Sequence, residues 1–575
     1  MSEPRPARER VAAVAPGLAD LLSYRVRWLG KDVTAGLVLT ALLVPQGMAY
    51  AELAGLPAIT GLYTSILCLA GYALFGPSRV LVLGPDSSLG PLIAATILPL
   101  AGADGDPARA IALASALALI TGAVMITAGI TGLGFVADLI SRPAMIGYLN
   151  GLALTILVGQ LPKLFGFSVD AESFLGDVTG FFSGLGSTVP AALAVGAVGL
   201  VLIVVLQRFL PKVPAVLVVV VLSIGATALL GLAARGVDVV GPLPQGFPPL
   251  SLPDVRLSDL ALLVPGALGI AVVALTDTIS TSSSFAAREG RTIDGGREMT
   301  AIGASNVAAG LFGGFPVSTS GSRTAVAGQA GARTQLTGLV GAAAITLILL
   351  FVPGLLRDLP QPTLAAVVIA ASLSLTDLPA TRRLFQVRRT EFVLSATAAL
   401  GVIALGVLPG MAVTVALSAA NVFRRAWWPY RAVLGRVPGL PGFHDLRSHP
   451  HAEQLPGCLL VRHDAPIFFA NARTFREWID RLVARNPEVR WVVVAAEPVT
   501  DIDTTAVDML RELAESLHRN DRHLVFAELK DPVRHDIERA GLTDTIDPAH
   551  LYPTIDAAID AFRERTGAQW RSVDG

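Results

Sequence analysis

Two stretches of this chain join a Gly/Pro break to a cluster of hydroxyls and a helix-forming run: VLVLGPDSSLGPLIAAT (80–96) and GGFPVSTSGSRTAVAGQAG (313–331). Each begins with a short extended lead inside otherwise apolar surroundings. A helix that starts there presents unpaired N–H groups and the positive end of its dipole. Two such half-helices, about 85–97 and 320–331, with their starts facing each other would hold an anion. Ser87, Ser88, Ser318, Thr319, Ser320 and Ser322 would add hydroxyl donors, and Arg323 a fixed positive charge. The competing reading is that both breaks are packing kinks, because Gly and Pro are common in membrane helices.

Asp277 is a second chemical anchor. It lies in GIAVVALTDTISTSSSFAA (269–287), well inside an apolar span. A carboxylate at the bilayer centre costs at least about 2.5–3.5 kcal/mol on insertion scales, so such acids are functional by default. It can take a proton, or ligate Na⁺ together with Thr281 one helical turn on. A structural ion pair with Arg323 and a snorkelling side chain are the alternatives. Asp86, next to a Gly-Pro turn, reads as a cap for the helix after it. Gln46 follows Pro45, which is expected to break the first span. Its amide can bind a substrate oxyanion or repair the backbone groups freed by the proline. Glu52 is expected near the outer end of that span, in solvent.

The elements that carry these residues follow from composition. Of 575 residues 53% are hydrophobic and 15% charged, against roughly 25% charged in a soluble domain. That excludes a disordered chain and argues against a cytosolic enzyme. The 44 basic residues nearly balance the 45 acidic ones, so no field points to nucleic acid. Two cysteines, Cys68 and Cys458, supply neither a disulfide framework nor a zinc cluster. No cofactor-binding or hydrolase motif occurs in a sensible context, so neither an enzyme nor a cofactor is expected.

Every histidine lies at or beyond His444, and no tryptophan falls between Trp28 and Trp427. The chain therefore divides into a cytoplasmic segment (1–32), a transmembrane domain (33–426), a linker (427–452), a soluble domain (453–567) and a tail (568–575). Runs of about 20 apolar residues suit spans: 33–50, 57–75, 108–130, 190–210, 213–233, 260–280, 335–353, 363–376, 391–407 and 410–423. The stretches 80–98, 143–161 and 299–330 are apolar but interrupted. Together they make about fourteen membrane elements. Basic clusters at Arg25–Lys31, Arg208 and Lys212, Arg288–Arg297, Arg382–Arg389 and Arg424–Arg425 all follow even-numbered spans or precede the first. The acidic Asp170, Glu172 and Asp177 follow an odd one. Lys and Arg collect on the cytoplasmic side, which puts both termini in the cytoplasm of a multi-pass cell-membrane protein. The opening MSEPRPARER has no apolar core, so no cleavable signal is expected.

The soluble domain reads as a small α/β sandwich: strands at 458–463, 467–471, 491–497 and 523–529, with helices at 473–485, 504–519, 531–541 and 553–564. Asp503 is a candidate N-cap, followed by Thr504 and Thr505 at the helix start.

In order, VPQGMAYAELAGLPAITGLYTS (44–65), IGYLNGLALTILVGQLPKLFG (146–166), AAREGRTIDGGREMTAIGASNVAAGLFGGFPVSTSGSRTAV (286–326) and GART (331–334) resemble the SulP family of anion transporters. The C-terminal portion resembles the STAS domain that follows the membrane region in that family. The resemblance implies an α-helical polytopic fold of fourteen spans in a seven-plus-seven inverted repeat, a core domain moving against a gate domain, and a homodimer. It places the anion between the third and tenth spans, on the backbone around Thr319, Ser320 and Gly321, with Arg323 beside it and Gln46 lining the site. Asp277 matches the acidic residue that serves H⁺ or Na⁺ coupling, and Thr281 a sodium-site threonine of bicarbonate-transporting relatives. Thr504 matches the position phosphorylated in bacterial anti-sigma antagonists, although threonines and Ala506 replace their usual Ser-Ser-Gly.

The function expected is secondary active transport of a small anion, sulfate with proton symport. A sodium-coupled bicarbonate or small (di)carboxylate carrier is the alternative on the same scaffold. A membrane-tethered signalling protein with a partner-recruiting STAS domain is the alternative of another class.

Overall fold

The computed structural model describes residues 15–102, 106–132, 140–169, 171, 173–210, 213–288 and 292–572. Asp170, Glu172, Lys212 and Arg291, which enter the orientation argument, lie outside the described residues, as does the opening decapeptide. The chain divides into two compact units, one ending at Ser418 and the other starting at Ala419.

Fourteen of the described helices form two runs of seven, with the shorter helices Pro16–Leu22, Phe174–Gly184 and Leu378–Val387 outside the runs and the last of the fourteen reaching past Ser418. The first run is α1 (Leu29–Leu53), α2 (Ala58–Phe75), α3 (Gly90–Ala101), α4 (Pro107–Ile130), α5 (Arg142–Phe165), α6 (Pro190–Phe209) and α7 (Ala215–Leu230). The second is α8 (Leu257–Arg288), α9 (Gly295–Leu311), α10 (Gly321–Gln329), α11 (Leu336–Phe351), α12 (Gln361–Leu375), α13 (Arg389–Leu405) and α14 (Val407–Trp427). Among the described residues, eight helices are long and apolar enough to cross a membrane. The third member of each run is short and preceded by an extended lead: β1 (Leu83–Gly84) before α3, and β2 (Ser318–Thr319) before α10. This matched break is the repeat made visible.

The helices sort into two bundles. In one, α9 packs on α4 and α2, α11 on α1 and α2, and α8 on α4 and α3. In the other, α5 packs on α13 and α12, and α12 on α6. Helix α1 spans the seam, because it also meets α12 and α7.

Two expectations about breaks are corrected. The 143–161 stretch is unbroken within α5. Its Gly147 permits close approach, since a Cβ there would lie 1.9 Å from the Ser395 carbonyl oxygen of α13. Helix α1 likewise runs straight through Pro45.

Non-helical backbone at membrane depth must be satisfied by protein. Asn306 of α9 accepts from Val317 N (2.9 Å) and donates to Val317 O (3.3 Å), and Thr64 Oγ1 accepts from Phe315 N (3.1 Å). Gln335 Nε2 donates to the carbonyls of Ser78 and Leu81 (2.8 and 2.9 Å). Asp32, fully buried, accepts from Arg333 N (2.6 Å), Thr334 N (3.2 Å) and the hydroxyls of Thr334 (2.9 Å), Thr337 (3.1 Å) and Tyr24 (3.1 Å). It ties the start of α1 to the turn between α10 and α11.

The second unit is a mixed sheet in the order β10-β5-β3-β6-β7-β8-β9, with β4 paired to β3. The strands are β3 (Arg431–Arg436), β4 (Phe443–Asp445), β5 (Glu453–Gln454), β6 (Cys458–His463), β7 (Trp491–Ala495), β8 (His523–Ala527), β9 (Leu551–Tyr552) and β10 (Arg571–Ser572). From β6 to β9 the pairing is parallel. Helices α15 (Ala472–Arg485), α16 (Thr504–His518) and α17 (Asp531–Arg539) cover one face, and α18 (Ile555–Thr566) the other, each over its own apolar core. Two readings change here. The 427–452 stretch is not a bare linker, because β3 and β4 belong to the sheet. Residues 467–471 form no strand; a single bridge from Ile467 to Ile502 is followed by a turn that leads into α15.

Candidate functional site

The two extended leads meet. β1 and β2 pair antiparallel, Leu83 with Thr319 and Gly84 with Ser318, so α3 and α10 begin beside each other. The pair continues through Ser320 N to Val82 O (3.0 Å) and Val82 N to Thr324 Oγ1 (3.0 Å).

The two helix starts are unequal and shorter than the sequence suggests. Residues 86–89 form a turn, with Leu89 N and Gly90 N donating to Asp86 O (3.3 and 3.2 Å), and Pro91 has no N–H to offer. Ser87 and Ser88 sit in that turn, both buried. At α10, Ser320 is the N-cap, accepting from Arg323 N (3.4 Å), and the first internal bond runs from Thr324 N to Ser320 O (2.9 Å). The N–H groups of Gly321 and Ser322 precede that bond, so α10 offers the more open dipole end.

Arg323 is 2% exposed. Its Nη2 donates to Pro85 O (2.7 Å) and lies 3.6 Å from Asp86 Oδ2. Nε and Nη1 are buried without a protein partner. Buried polar groups are nearly always bonded, so two orphan guanidinium donors point to a group that the protein does not supply. Gly84 makes the room, since a Cβ there would lie 2.6 Å from Nη1.

Asp277 does not pair with Arg323; that alternative is replaced by Asp86. Instead Asp277 Oδ2 accepts from Ser88 Oγ (3.3 Å), a hydroxyl also 2.7 Å from Asp86 Oδ1. Thr278 and Thr319 hydroxyls are 3.2 Å apart, which joins α8 to β2. Thr281 faces Gly321, whose ideal Cβ would lie 3.6 Å from Thr281 Oγ1. Thus Ser87, Ser88, Thr319, Ser320, Gly321, Arg323, Asp277 and Thr281 all gather around the paired leads.

Gln46 reaches the same place by another route. A cavity of about 750 Å³ is lined by Gln46 and Tyr50 from α1, Ser322 and Arg323 from α10, and residues of α7 and α12. Tyr50, which lines the same cavity, was missed from sequence, yet it stands four residues after Gln46 on the same helical face. Asp86 was underrated because its partner is distant in the chain. Glu52 is not simply solvated: its Oε1 accepts from Gln361 Nε2 (2.8 Å). In the second unit Thr504 is exposed at the first position of α16. Asp503 caps that helix through Ala506 N (2.8 Å) and also accepts from Phe469 N (2.8 Å).

The chain matches the sulfate permease family over residues 29–398 and the STAS domain over 449–558. A probable sulfate transporter of Mycobacterium tuberculosis is 40% identical over 555 residues, covering 96% of this chain and 99% of the relative. Sulfate transporter 1.3 of Arabidopsis thaliana is 30% identical over 583 residues, covering 96% and 87%. Among solved structures, the murine Slc26a9 anion transporter in its inward-facing state superposes with a TM-score of 0.88 at 23% identity, covering 98% of this chain and 96% of that one. The transmembrane domain of a cyanobacterial bicarbonate transporter, BicA, gives 0.59 at 21% identity, covering 68% and 98%. These likenesses carry the fold: a polytopic helical domain of fourteen elements in a seven-plus-seven repeat, with core and gate bundles and a C-terminal STAS domain. The chain belongs to the sulfate permease family, a multi-pass membrane transporter and not an enzyme.

Proposed function

We propose that this protein is a secondary active anion transporter, that its anion is sulfate, and that a proton moves with it. The observation that carries this reading is Arg323, buried at the meeting of α3 and α10 with two unpartnered donors. The anion sits against those donors and the Gly321 and Ser322 amides, with Ser87, Ser88, Thr319 and Ser320 around it and Gln46 and Tyr50 facing it across the cavity. Relatives named sulfate transporters at 30–40% identity support the choice of anion.

Charge counting supports a coupling cation. Arg323 contributes one positive charge; Asp86 and Asp277 contribute two negative ones, so the empty site sums to −1 when both acids are ionised. A divalent anion entering it is repelled unless a cation enters too. Asp277, touching Ser88 of the anion turn, is the group placed to take a proton. Thr278 and Thr281 stand beside it, and a sodium ion held there is the second reading, favoured by those hydroxyls.

The cavity reaches Thr34 of α1, Gln207 of α6, Val213 ahead of α7 and Ser374 of α12. Those ends lie by the basic clusters that the positive-inside rule assigns to the cytoplasm. Both termini and the STAS domain are accordingly cytoplasmic, and this conformation faces inward. Transport proceeds by an elevator-type movement of the core bundle against the gate bundle, in a homodimer.

The test is uptake of labelled sulfate into proteoliposomes under an inward proton or sodium gradient, with Asp277→Asn beside the native protein. Proton-driven uptake lost in Asp277→Asn, with sulfate–sulfate exchange retained, is expected. Sodium-driven uptake would move the coupling role to a cation site at Asp277 and Thr281. Absence of sulfate uptake under both gradients would remove sulfate as the substrate.

A further inference from the structure

The seam between the bundles is open at one end and tied at the other. At the open end lies the 750 Å³ cavity between α1, α10, α7 and α12. Glu52 is six residues beyond Gln46 on α1, hence about 9 Å farther along its axis. There Glu52 accepts a hydrogen bond from Gln361, the first residue of α12. Lys163, near the end of α5, lines the same vestibule as Glu52 and Gln361. Glu52 belongs to one bundle; Gln361 and Lys163 belong to the other.

Gln361 is held firmly. Its own N–H donates to Asp238 O (2.8 Å), Val240 N to Leu359 O (3.0 Å) and Gly241 N to Arg357 O (3.0 Å), and Val239 bridges Pro360. The segment after α7 thereby splints the start of α12, so the Gln361 amide cannot follow α1 if the bundles part. The three side chains line a separate vestibule of about 1240 Å³, which shares no lining residue with the inner cavity.

We propose that Glu52, Gln361 and Lys163 form a latch that closes the outer end of the seam, and that each transport cycle must break it. This rests on the inward-facing, two-bundle reading above. The carboxylate–amide bond is the positional part; the lysine supplies attraction without a fixed geometry. Breaking a hydrogen bond to a charged group shifts the balance between the two states by on the order of tenfold or more.

Cys68 and Cys458 are both buried and free, so added thiols are the reactive ones in the full-length protein. Reconstituted Glu52→Cys/Gln361→Cys, oxidised to the disulfide, should stop uptake and recover it on reduction. A reporter Ser374→Cys in the inner cavity should meanwhile keep its full labelling rate with an impermeant maleimide. In Gln361→Leu, which keeps the side chain's bulk and removes its donor, the same reporter should label more slowly, by up to about tenfold as the inward-facing population falls. Failure of the disulfide to form, uptake that continues in the oxidised protein, or an unchanged reporter rate in Gln361→Leu each overturns the latch. The reporter reads conformation without any substrate. A reporter response without sulfate uptake would therefore keep the latch and remove only the sulfate assignment.

Discussion

Gly84→Ala tests whether the anion site depends on a guanidinium fixed in one place. The added Cβ would lie 2.6 Å from Arg323 Nη1, 3.3 Å from its Cζ and 3.2 Å from Leu43 Cδ2. On a protein surface an arginine tip would swing away at little cost. Here the side chain is buried, its Nη2 is bonded to Pro85 O at 2.7 Å, and Asp86 holds it from the same turn. To regain ordinary contact the guanidinium must retreat by about 1 Å. That retreat gives up the bond to Pro85 O and moves Nη1 from where an anion would meet it. A hydrogen bond from a charged donor is worth about 1.5–3 kcal/mol, or roughly 10- to 100-fold in affinity. Sulfate uptake at sub-saturating concentration should fall by that factor in Gly84→Ala, with a raised KM. The double-mutant cycle makes the test specific. Lysine has no Nη1, so Gly84→Ala added to Arg323→Lys should cost little more, leaving a coupling of at least about 1 kcal/mol. Gly84→Ala within twofold of the native protein, or equal losses in both backgrounds, would refute the idea that this glycine clears the guanidinium.

Three further outcomes follow from neighbouring features. Asp86→Asn removes one negative charge beside Arg323 while keeping acceptor oxygen for Ser88, so sulfate should bind several-fold tighter and depend less on the imposed cation gradient; titration of binding at two cation concentrations checks this. Asp32→Ala leaves five donors without their acceptor, at a cost of about 1–3 kcal/mol for each that stays buried and unpaired; the melting temperature in detergent should drop by several degrees, and much less in Asp32→Asn. In the STAS domain, burial and then the nearby Arg431 guanidinium hold His463 at about 3, against 6.5 for the free side chain. The folded form refuses a proton that the unfolded chain accepts. Stability is therefore complete above pH 6.5 and falls toward pH 3 by up to about 1.4 kcal/mol per pH unit. Chemical denaturation of the STAS domain across that window should show the slope, and His463→Gln should flatten it.

What the sequence displayed and what it hid divide along a physical line. Arg323 and Asp277 were legible because a charge in an apolar run is costly wherever its partner lies. The paired breaks were legible because an extended lead, a hydroxyl cluster and a helix start recur in both halves. Partners were another matter. Arg323 meets Pro85 across 238 residues and Asp32 meets Thr334 across 302, and no local pattern encodes such distances. Asp86 therefore read as a cap, although it is the acid that faces the buried arginine. Glycine misled for the same reason at Gly147, which admits a neighbouring helix and does not break its own. In the soluble unit RAVLGR read as connector because Pro and Gly flank it. It is a strand by virtue of pairing with β4, β5 and β6, the last through partners such as Arg431 and His463. Residue types thus announced where charge and backbone would be expensive, whereas the compensations came from tertiary contact. A site whose function is to bind and release a charged solute is built from such compensations, so its geometry had to be read from the structure.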